Sequence, residues 1–421
     1  MKIRFLGGAG EVGRSAILVN DELLMDYGIK PTDPPTYPQG NGVRPKTIII
    51  SHGHLDHCGV IPNLATPDLA PEIYATASTA KLTDLLARDT LNIAEHSSNH
   101  STPFDFSDIK AFQRIARYVN YNEEFKTNDY SFSLFDAGHI PGSSMIHLEK
   151  DGQSLFYTGD INSNPTELQN GAQTDLPEAD SLIIESTYFG KDHPSRKLVE
   201  EQFIESLRET LDNGGRAIVP AFGISRTQEI VLVLKKYGLH AYVDGMGNDV
   251  YKLMRKSPDF LRNPEKLDMA FSSMDIVKPE DREEIIQNPS IIVTTAGMLN
   301  GGPVLYYIPQ IYDDPNSKIL LTGYQAENTN GRRALENGYI ILEDYGHPQT
   351  VKLACGVENF NFSAHSGDAQ LKEIVKKFCD NGTENVFPVH GDNTKGFADW
   401  INEELGVEAC APVNGETFYL N

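Results

Sequence analysis

Short apolar runs with period-two alternation open the chain. Met1-Lys2-Ile3-Arg4-Phe5-Leu6 reads as a strand that runs into Gly7-Gly8. Residues 15–19 and 22–26 are apolar stretches separated by Asn20-Asp21, the pattern of a β-hairpin. Thr47-Ile48-Ile49-Ile50 is a continuous apolar run and predicts a buried strand. Residues 79–100 and 108–117 carry helical patterning. Strands resume at 131–135 and 153–158, and Ser181-Leu182-Ile183-Ile184-Glu185 is an apolar strand ending in a carboxylate. From 197 the pattern changes to helix alternating with strand. Helices are predicted at 197–212, stopped by Asn213-Gly214-Gly215, and at 226–237, with strands at 216–220, 239–243, 290–294 and 318–322. This alternation implies a parallel α/β unit. A helix over 368–378 and a strand over 384–389 close the series. Gly8-Ala9-Gly10-Glu11-Val12-Gly13 fits the dinucleotide-binding spacing, but that fingerprint opens a helix and a hairpin follows here.

The candidate chemistry sits where strands end. His52-Gly53-His54-Leu55-Asp56-His57 follows the strand at 47–50 directly. Imidazole and carboxylate at this density suit a borderline cation such as Zn²⁺. His52 and His54, two apart on an extended segment, point at one metal, and Asp56 and His57 serve a second. His139, Asp160 and His390 each follow a later predicted strand. Each alone is weak, since such residues also cap turns. Together the seven are what two four-coordinate metals sharing one carboxylate require. Asp160 is the natural bridge, because a carboxylate offers two oxygens and an imidazole one free nitrogen. The α/β block interrupts this ligand series, so it is an inserted domain over 196–359, with core parts at 1–195 and 360–421.

Composition sets the class. The chain has 421 residues, 39% hydrophobic and 23% charged, as in a globular protein, and no apolar stretch of membrane-spanning length. The N-terminal residues lack a signal-peptide pattern, and the four cysteines have no regular spacing, so a cytoplasmic protein with free thiols is expected. Cys58, directly after the metal loop, reads as packing. A formal charge of −23 argues against non-specific polyanion binding, although metal ions and a local basic groove reverse the field where they lie.

The ligand series resembles the metallo-β-lactamase superfamily, an αββα sandwich with two zinc ions at one edge. The resemblance makes His52, His54 and His139 ligands of the first zinc and Asp56, His57 and His390 ligands of the second, with Asp160 bridging and Asp26 orienting the metal loop. The inserted α/β block resembles the β-CASP domain of the nucleic-acid-processing branch. Glu185 in Glu185-Ser186-Thr187-Tyr188, His365 in Phe362-Ser363-Ala364-His365-Ser366-Gly367 and His390 in Pro388-Val389-His390-Gly391-Asp392 match its three motifs. A histidine in the third motif favours RNA over DNA. Asp136-Ala137-Gly138-His139-Ile140-Pro141-Gly142-Ser143 is in the style of the cleavage and polyadenylation specificity factor nucleases. The chain starts at the first core strand, so a likeness to the short archaeal subgroup without KH domains, or to archaeal RNase J, is expected.

These readings imply hydrolysis of single-stranded RNA to 5′-phosphate and 3′-hydroxyl products, with Asp56, Glu185 and His365 catalytic. A carboxylate beside an imidazole raises its pKa and fixes its tautomer, as a general acid requires. Phe222, Gly223, Ser225 and Arg226, on a loop that opens a helix, are candidate RNA contacts through free N–H groups and charge. Tyr324 and Arg332 are further candidates. Ser363 and Ser366 are expected to bind a terminal 5′-phosphate, which favours a 5′→3′ exonuclease. The alternatives are an endonuclease of RNA 3′-end processing or transcription termination, a small-molecule hydrolase, and a silent RNA-binding subunit. A homodimer, and membership of an RNA-processing complex, are also expected.

Overall fold

The computed structural model describes residues 1–32, 34–40, 42–95, 101–344 and 347–420. The chain divides into two compact units, one comprising Met1–Pro165, Gly171–Asp192 and Ala364–Asn421, the other Thr166–Asn170 and His193–Ser363.

The first unit is built on two seven-stranded sheets. One has the order Thr417–Tyr419, Lys2–Gly7, Ala16–Val19, Leu23–Met25, Thr47–Ile49, Glu72–Ala75, Ala116–Tyr118. Its pairings are antiparallel as far as Leu23–Met25 and parallel beyond. The other runs Glu408–Ala409, Asn385–Val389, Ser181–Glu185, Gln153–Tyr157, Ser144–Lys150, Tyr130–Asp136, Glu124–Thr127. Ile3, Phe5, Ile17, Val19, Met25 and Ile49 of the first sheet pack against Phe132, Leu134, Ile146, Leu155, Tyr157, Ile183 and Val389 of the second. Because side chains alternate across a strand, Leu182 and Ile184 face the other way from Ile183. They meet Leu371, Val375 and Phe378 of helix Asp368–Asp380 and Phe397 and Ile401 of helix Thr394–Leu405. Helices Ala77–Glu95 and Phe106–Ile115 contact the first sheet. The result is the αββα sandwich expected. The hairpin at 15–26 forms with Leu18 opposite Leu24, and residues 8–13 are a loop between strands, not a helix start.

The second unit carries a six-stranded all-parallel sheet. Its order is Asp275–Ile276, Tyr242–Asp244, Ser290–Thr294, Arg216–Pro220, Lys318–Leu321, Gly356–Asn359. Helices Arg196–Asp212 and Arg226–Lys236 lie within a residue of their predicted bounds.

Three expectations shift. The helix expected over 79–100 ends at Glu95, and its last five residues lie outside the described ones. The next helix starts early, at Phe106, because Asp105 caps it: its carboxylate accepts from the N–H groups of Ser107 (2.6 Å) and Asp108 (3.2 Å). The strand expected over 239–243 is confined to Tyr242–Asp244, since Leu239 N–H bonds back to Leu234 O in the turn that ends the preceding helix. Among the described residues no helix is long and apolar enough to cross a membrane.

Candidate active site

Asp26, His52, His139, Asp160, Glu185 and His390 all lie at or just beyond the carboxyl ends of strands. Leu23–Met25 and Thr47–Ile49 are parallel in one sheet; Gln153–Tyr157, Ser181–Glu185 and Asn385–Val389 are parallel in the other. Tyr130–Asp136 joins that direction through two antiparallel pairings. One edge of the sandwich therefore collects every loop that carries a ligand. The short helix Leu55–Cys58 turns Asp56 and His57 back toward it.

Asp160 is the centre of the cluster. Its Oδ2 lies 3.6 Å from His52 Nε2 and 3.7 Å from His139 Nε2, while its Oδ1 lies 3.3 Å from His57 Nε2 and 3.2 Å from His390 Nδ1. His139 Nε2 is 3.1 Å from His54 Nδ1, and His390 Nε2 is 3.3 Å from Asp56 Oδ2. Ligand atoms of a tetrahedral zinc site, each about 2.0–2.1 Å from the metal, stand about 3.3 Å from one another. His52 Nε2 and Asp160 Oδ1 are buried without a hydrogen-bond partner. An orphaned nitrogen and an orphaned carboxylate oxygen, at ligand-edge distances and in an N/O donor set, fit a pair of zinc-like cations. The groupings His52, His54, His139, Asp160 and His57, Asp160, His390 each converge on one point, and Asp56 groups with His52 and His57.

Electrostatics agrees with the geometry. Burial pushes His52 and His139 well below the ordinary imidazole range and His54 down to about 4, so these rings are neutral and have a lone pair to donate. Burial opposes the charge on Asp160, but His390 and His57 outweigh it and hold its carboxyl well below the usual range. Burial likewise disfavours charge on His57, yet Asp160 and Asp26 raise it well above normal, the mark of a negative field that a cation answers.

The supports of the ligands were not legible in the sequence, apart from Asp26. Asp26 is fully buried at a φ of 60°. It accepts from Ser51 N–H (2.7 Å), Ser51 Oγ (2.7 Å), Tyr157 OH (3.0 Å) and His57 Nδ1 (2.8 Å). The last bond fixes the tautomer that leaves the His57 Nε2 lone pair free to donate to a cation. His139 is set in the same way by Ala364 O, 2.7 Å from its Nδ1, and Thr187 Oγ1 lies 3.3 Å from His390 Nδ1. Asp26→Ala strands those donors in the interior, at about 1–3 kcal/mol each for the ones water does not reach. A net loss of about 3–5 kcal/mol is expected, read as a thermal transition lowered by on the order of 10 °C. An unchanged transition would show that the network is dispensable. Cys58 is buried, its thiol pushed up to about 12 by burial, in keeping with packing.

Glu185 and His365 meet beside the cluster, although 180 residues separate them. His365 Nδ1 is 2.8 Å from Glu185 Oε1, and its Nε2 is 4.0 Å from Asp160 Oδ2. Glu185 is itself fixed by N–H groups of Ile161 (3.0 Å) and Thr187 (3.1 Å). Burial disfavours a charged His365, but Glu185, then Asp160 and Asp56, raise it to about 9.

Comparison with known proteins places this arrangement. A metallo-β-lactamase superfamily domain matches residues 21–184, a β-CASP domain residues 227–334, and a Zn-dependent metallo-hydrolase RNA specificity domain residues 350–412. The chain is 36% identical to RNase aCSPSF2 of Saccharolobus solfataricus, over 99% of this chain and 85% of that one. It is 38% identical to a Methanocaldococcus jannaschii protein named "Probable RNase MJ4", over 99% of each. This chain belongs to the β-CASP family of metallo-hydrolases. It is also 32% identical to transcription termination factor FttA of Methanothermobacter thermautotrophicus, over 99% of this chain and 71% of the factor. A crystal structure of a protein of unknown function from Enterococcus faecalis V583 shares the fold, with a TM-score of 0.59 at 13% identity over 100% of this chain and 99% of that one.

The candidate RNA contacts of this β-CASP chain fare unevenly. In the second unit, residues 221–225 link strand to helix as expected. The N–H of Arg226 bonds Ile224 O (2.8 Å), and the N–H of its neighbour Thr227 bonds Phe222 O (3.0 Å), so neither is free for phosphate. A Cβ on Gly323 would come within 2.9 Å of the Phe222 ring, so this half-buried ring packs on glycine backbone. Gly223 O accepts from Gln228 Nε2, and Ser225 caps the helix at a φ of 67° without a side-chain bond. Tyr324 is exposed, and Arg332 pairs with Glu336 at 2.6 Å. Ser363 N–H bonds Asn361 Oδ1, and its carbonyl accepts from Arg196. In the first unit, Ser366 is fully buried. Its N–H bonds Ile161 O (2.7 Å) and its hydroxyl accepts from Ser163 N–H (3.0 Å), so the expected phosphate contact at Ser366 is corrected to a structural tie.

Proposed function

We propose that this chain is a zinc-dependent ribonuclease that hydrolyses single-stranded RNA to 5′-phosphate and 3′-hydroxyl ends. The observation that carries the reading is Asp160, which turns one oxygen to each of two histidine sets while the Glu185–His365 pair stands beside it. The RNA specificity match and the relatives named as RNases support RNA over a small-molecule substrate. His52, His54 and His139 would hold one ion, Asp56, His57 and His390 the other, and Asp160 both. Bound there, the ions would supply an activated water and neutralise phosphate oxygens. His365 gives its Nε2 proton to the leaving 3′-oxygen, and Glu185 holds Nδ1–H so that Nε2 faces the reacting bond.

The mode proposed is 5′→3′ exonucleolytic, in RNA processing or decay, and it rests on the resemblance to RNase J-type enzymes. The likeness to FttA favours a second reading, an endonuclease acting in transcription termination. Identity is higher to the relatives named as RNases, at 36% and 38%, than to FttA at 32%. Circular single-stranded RNA separates the two modes, since it has no end to grip. The expected result is rapid loss of linear 5′-monophosphate RNA from its 5′ end and survival of the circle. Equal cutting of both would replace the first mode by the second.

A further inference from the structure

The glycine loop at 8–13 opens no helix, and it is tied to the candidate metal cluster. At its start, Gly8 O accepts the N–H of His390 at 2.7 Å, and His390 sits at a φ of 48° that few side chains adopt. Just past its end, Ser15 N–H bonds Asp56 O at 2.8 Å, and Ser15 Oγ is 3.5 Å from His57 Nε2. Gly8 at the start of the loop and Ser15 just past its end thus touch between them all three residues assigned to the second ion: His390, Asp56 and His57. The first set has supports that Glu11 does not reach: His139 is held by Ala364 O and by Ser143 Oγ at its N–H, and His52 by Ser51 Oγ, which also lies 3.4 Å from His57 Nδ1.

Glu11 is the residue that shapes this loop. Its carboxylate accepts from Arg14 Nε (2.7 Å), Lys30 Nζ (2.8 Å) and Asn414 Nδ2 (2.7 Å). Asn414 in turn accepts Ala9 N–H at 3.0 Å, and Arg14 Nη1 donates to Tyr37 O at 2.8 Å. Lys30 ends a segment that runs along the metal helix, where Tyr27 N–H bonds His57 O (2.8 Å) and Ile29 N–H bonds Leu55 O (2.9 Å). Gly28 is needed there, because a Cβ would lie 1.8 Å from Asp56 O. One mostly buried carboxylate therefore joins the loop under His390 to the segment under Asp56 and His57.

We infer that Glu11 is a positioning residue for the second metal ion alone. This rests on the two-zinc reading of the cluster. Partners bonded to the ligands, here Gly8 O and Ser15, typically govern metal affinity by about 10–100-fold, and Glu11 acts one step further out by holding the segments that carry them. Removing the charge of Glu11 lets Arg14, Lys30 and Asn414 relax, so Gly8 O and the chain at Asp56 drift from their places. The first set keeps its own supports.

The test is metal binding by the full-length protein, stripped and titrated with zinc against a competing chelator, and with cobalt followed by its absorption bands. Wild type is expected to take two ions. Glu11→Gln, which keeps the shape and removes the charge, is expected to weaken the second binding step by about 10–100-fold and leave the first within about twofold. Lys30→Met removes the other end of the bridge and is expected to act on the same step, so it carries the test if Glu11→Gln fails to fold. Wild type taking fewer than two ions overturns the two-zinc reading. Wild type taking two, with the folded variant weakened at both steps equally or at neither, overturns the role of Glu11.

Discussion

Asp160→Ala is expected to leave the protein folded but unable to hold its full metal complement, and to slow RNA cleavage by about a thousandfold or more. The residue is the one carboxylate that both histidine sets share, with Oδ2 toward His52 and His139 and Oδ1 toward His57 and His390. Its removal takes an oxygen from each site at once. Metal-supplied charge stabilisation is worth several kcal/mol, and about 4 kcal/mol corresponds to about a thousandfold in rate. Metal analysis after dialysis checks the first half of the expectation, with less than one ion per chain as the expected outcome. Turnover of end-labelled RNA checks the second. Full metal content in the variant would mean that the ligands pair in another way. The fold is expected to survive because the carboxylate's neighbours are histidines, which can lose their protons once its charge is gone.

His365→Ala is expected to lower cleavage by about a hundredfold or more while both metal ions remain bound. The side chain that donates at Nε2 is held by Glu185 and not by the metal ligands, so its loss removes a proton and not an ion. Glu185→Gln is expected to act in the same direction by weakening the hold on Nδ1–H. The sign of the pH dependence follows from the charges around the ring. Burial opposes protonation, but Glu185 raises His365 to about 9, so the acid form dominates at neutral pH and activity falls as pH rises through the folded value. Cations at the neighbouring sites lower that value, so the fall is expected at or below about pH 9. In His365→Ala this limb should disappear. Loss of metal in the variant would make His365 a ligand; full activity would remove it from the reaction.

The candidate metal ligands were legible because their chemistry is local. His52 to His57 crowd the loop after one apolar strand, and His139, Asp160 and His390 each follow another, so residue type and strand end together marked them. Glu185 and His365 were readable only through likeness to known motifs, since nothing in composition joins two residues 180 apart. Ser51, Tyr157, Thr187 and Ala364, which orient the ligands, carried no signal. They are common residue types whose roles arise from contacts across up to 225 positions. The RNA candidates show the limit most clearly. A serine in a motif and a glycine loop ahead of a helix both suggested phosphate contacts, yet Ser366 is buried, and the N–H groups of Arg226 and Thr227 are taken by carbonyls of their own loop.

By itself the sequence determined the fold class, the α/β character of the inserted block and which seven residues are candidate ligands. These depend on periodicity and on side-chain chemistry, both of which are written residue by residue. The tertiary structure alone decided which oxygen of Asp160 faces which histidine set, which ring nitrogens of His57 and His139 their supports engage, and that a loop resembling a nucleotide fingerprint underpins His390. Those outcomes depend on where strand ends from two sheets converge and on which buried donors find acceptors there. That is a matter of packing between residues far apart in the chain, and no local pattern encodes it.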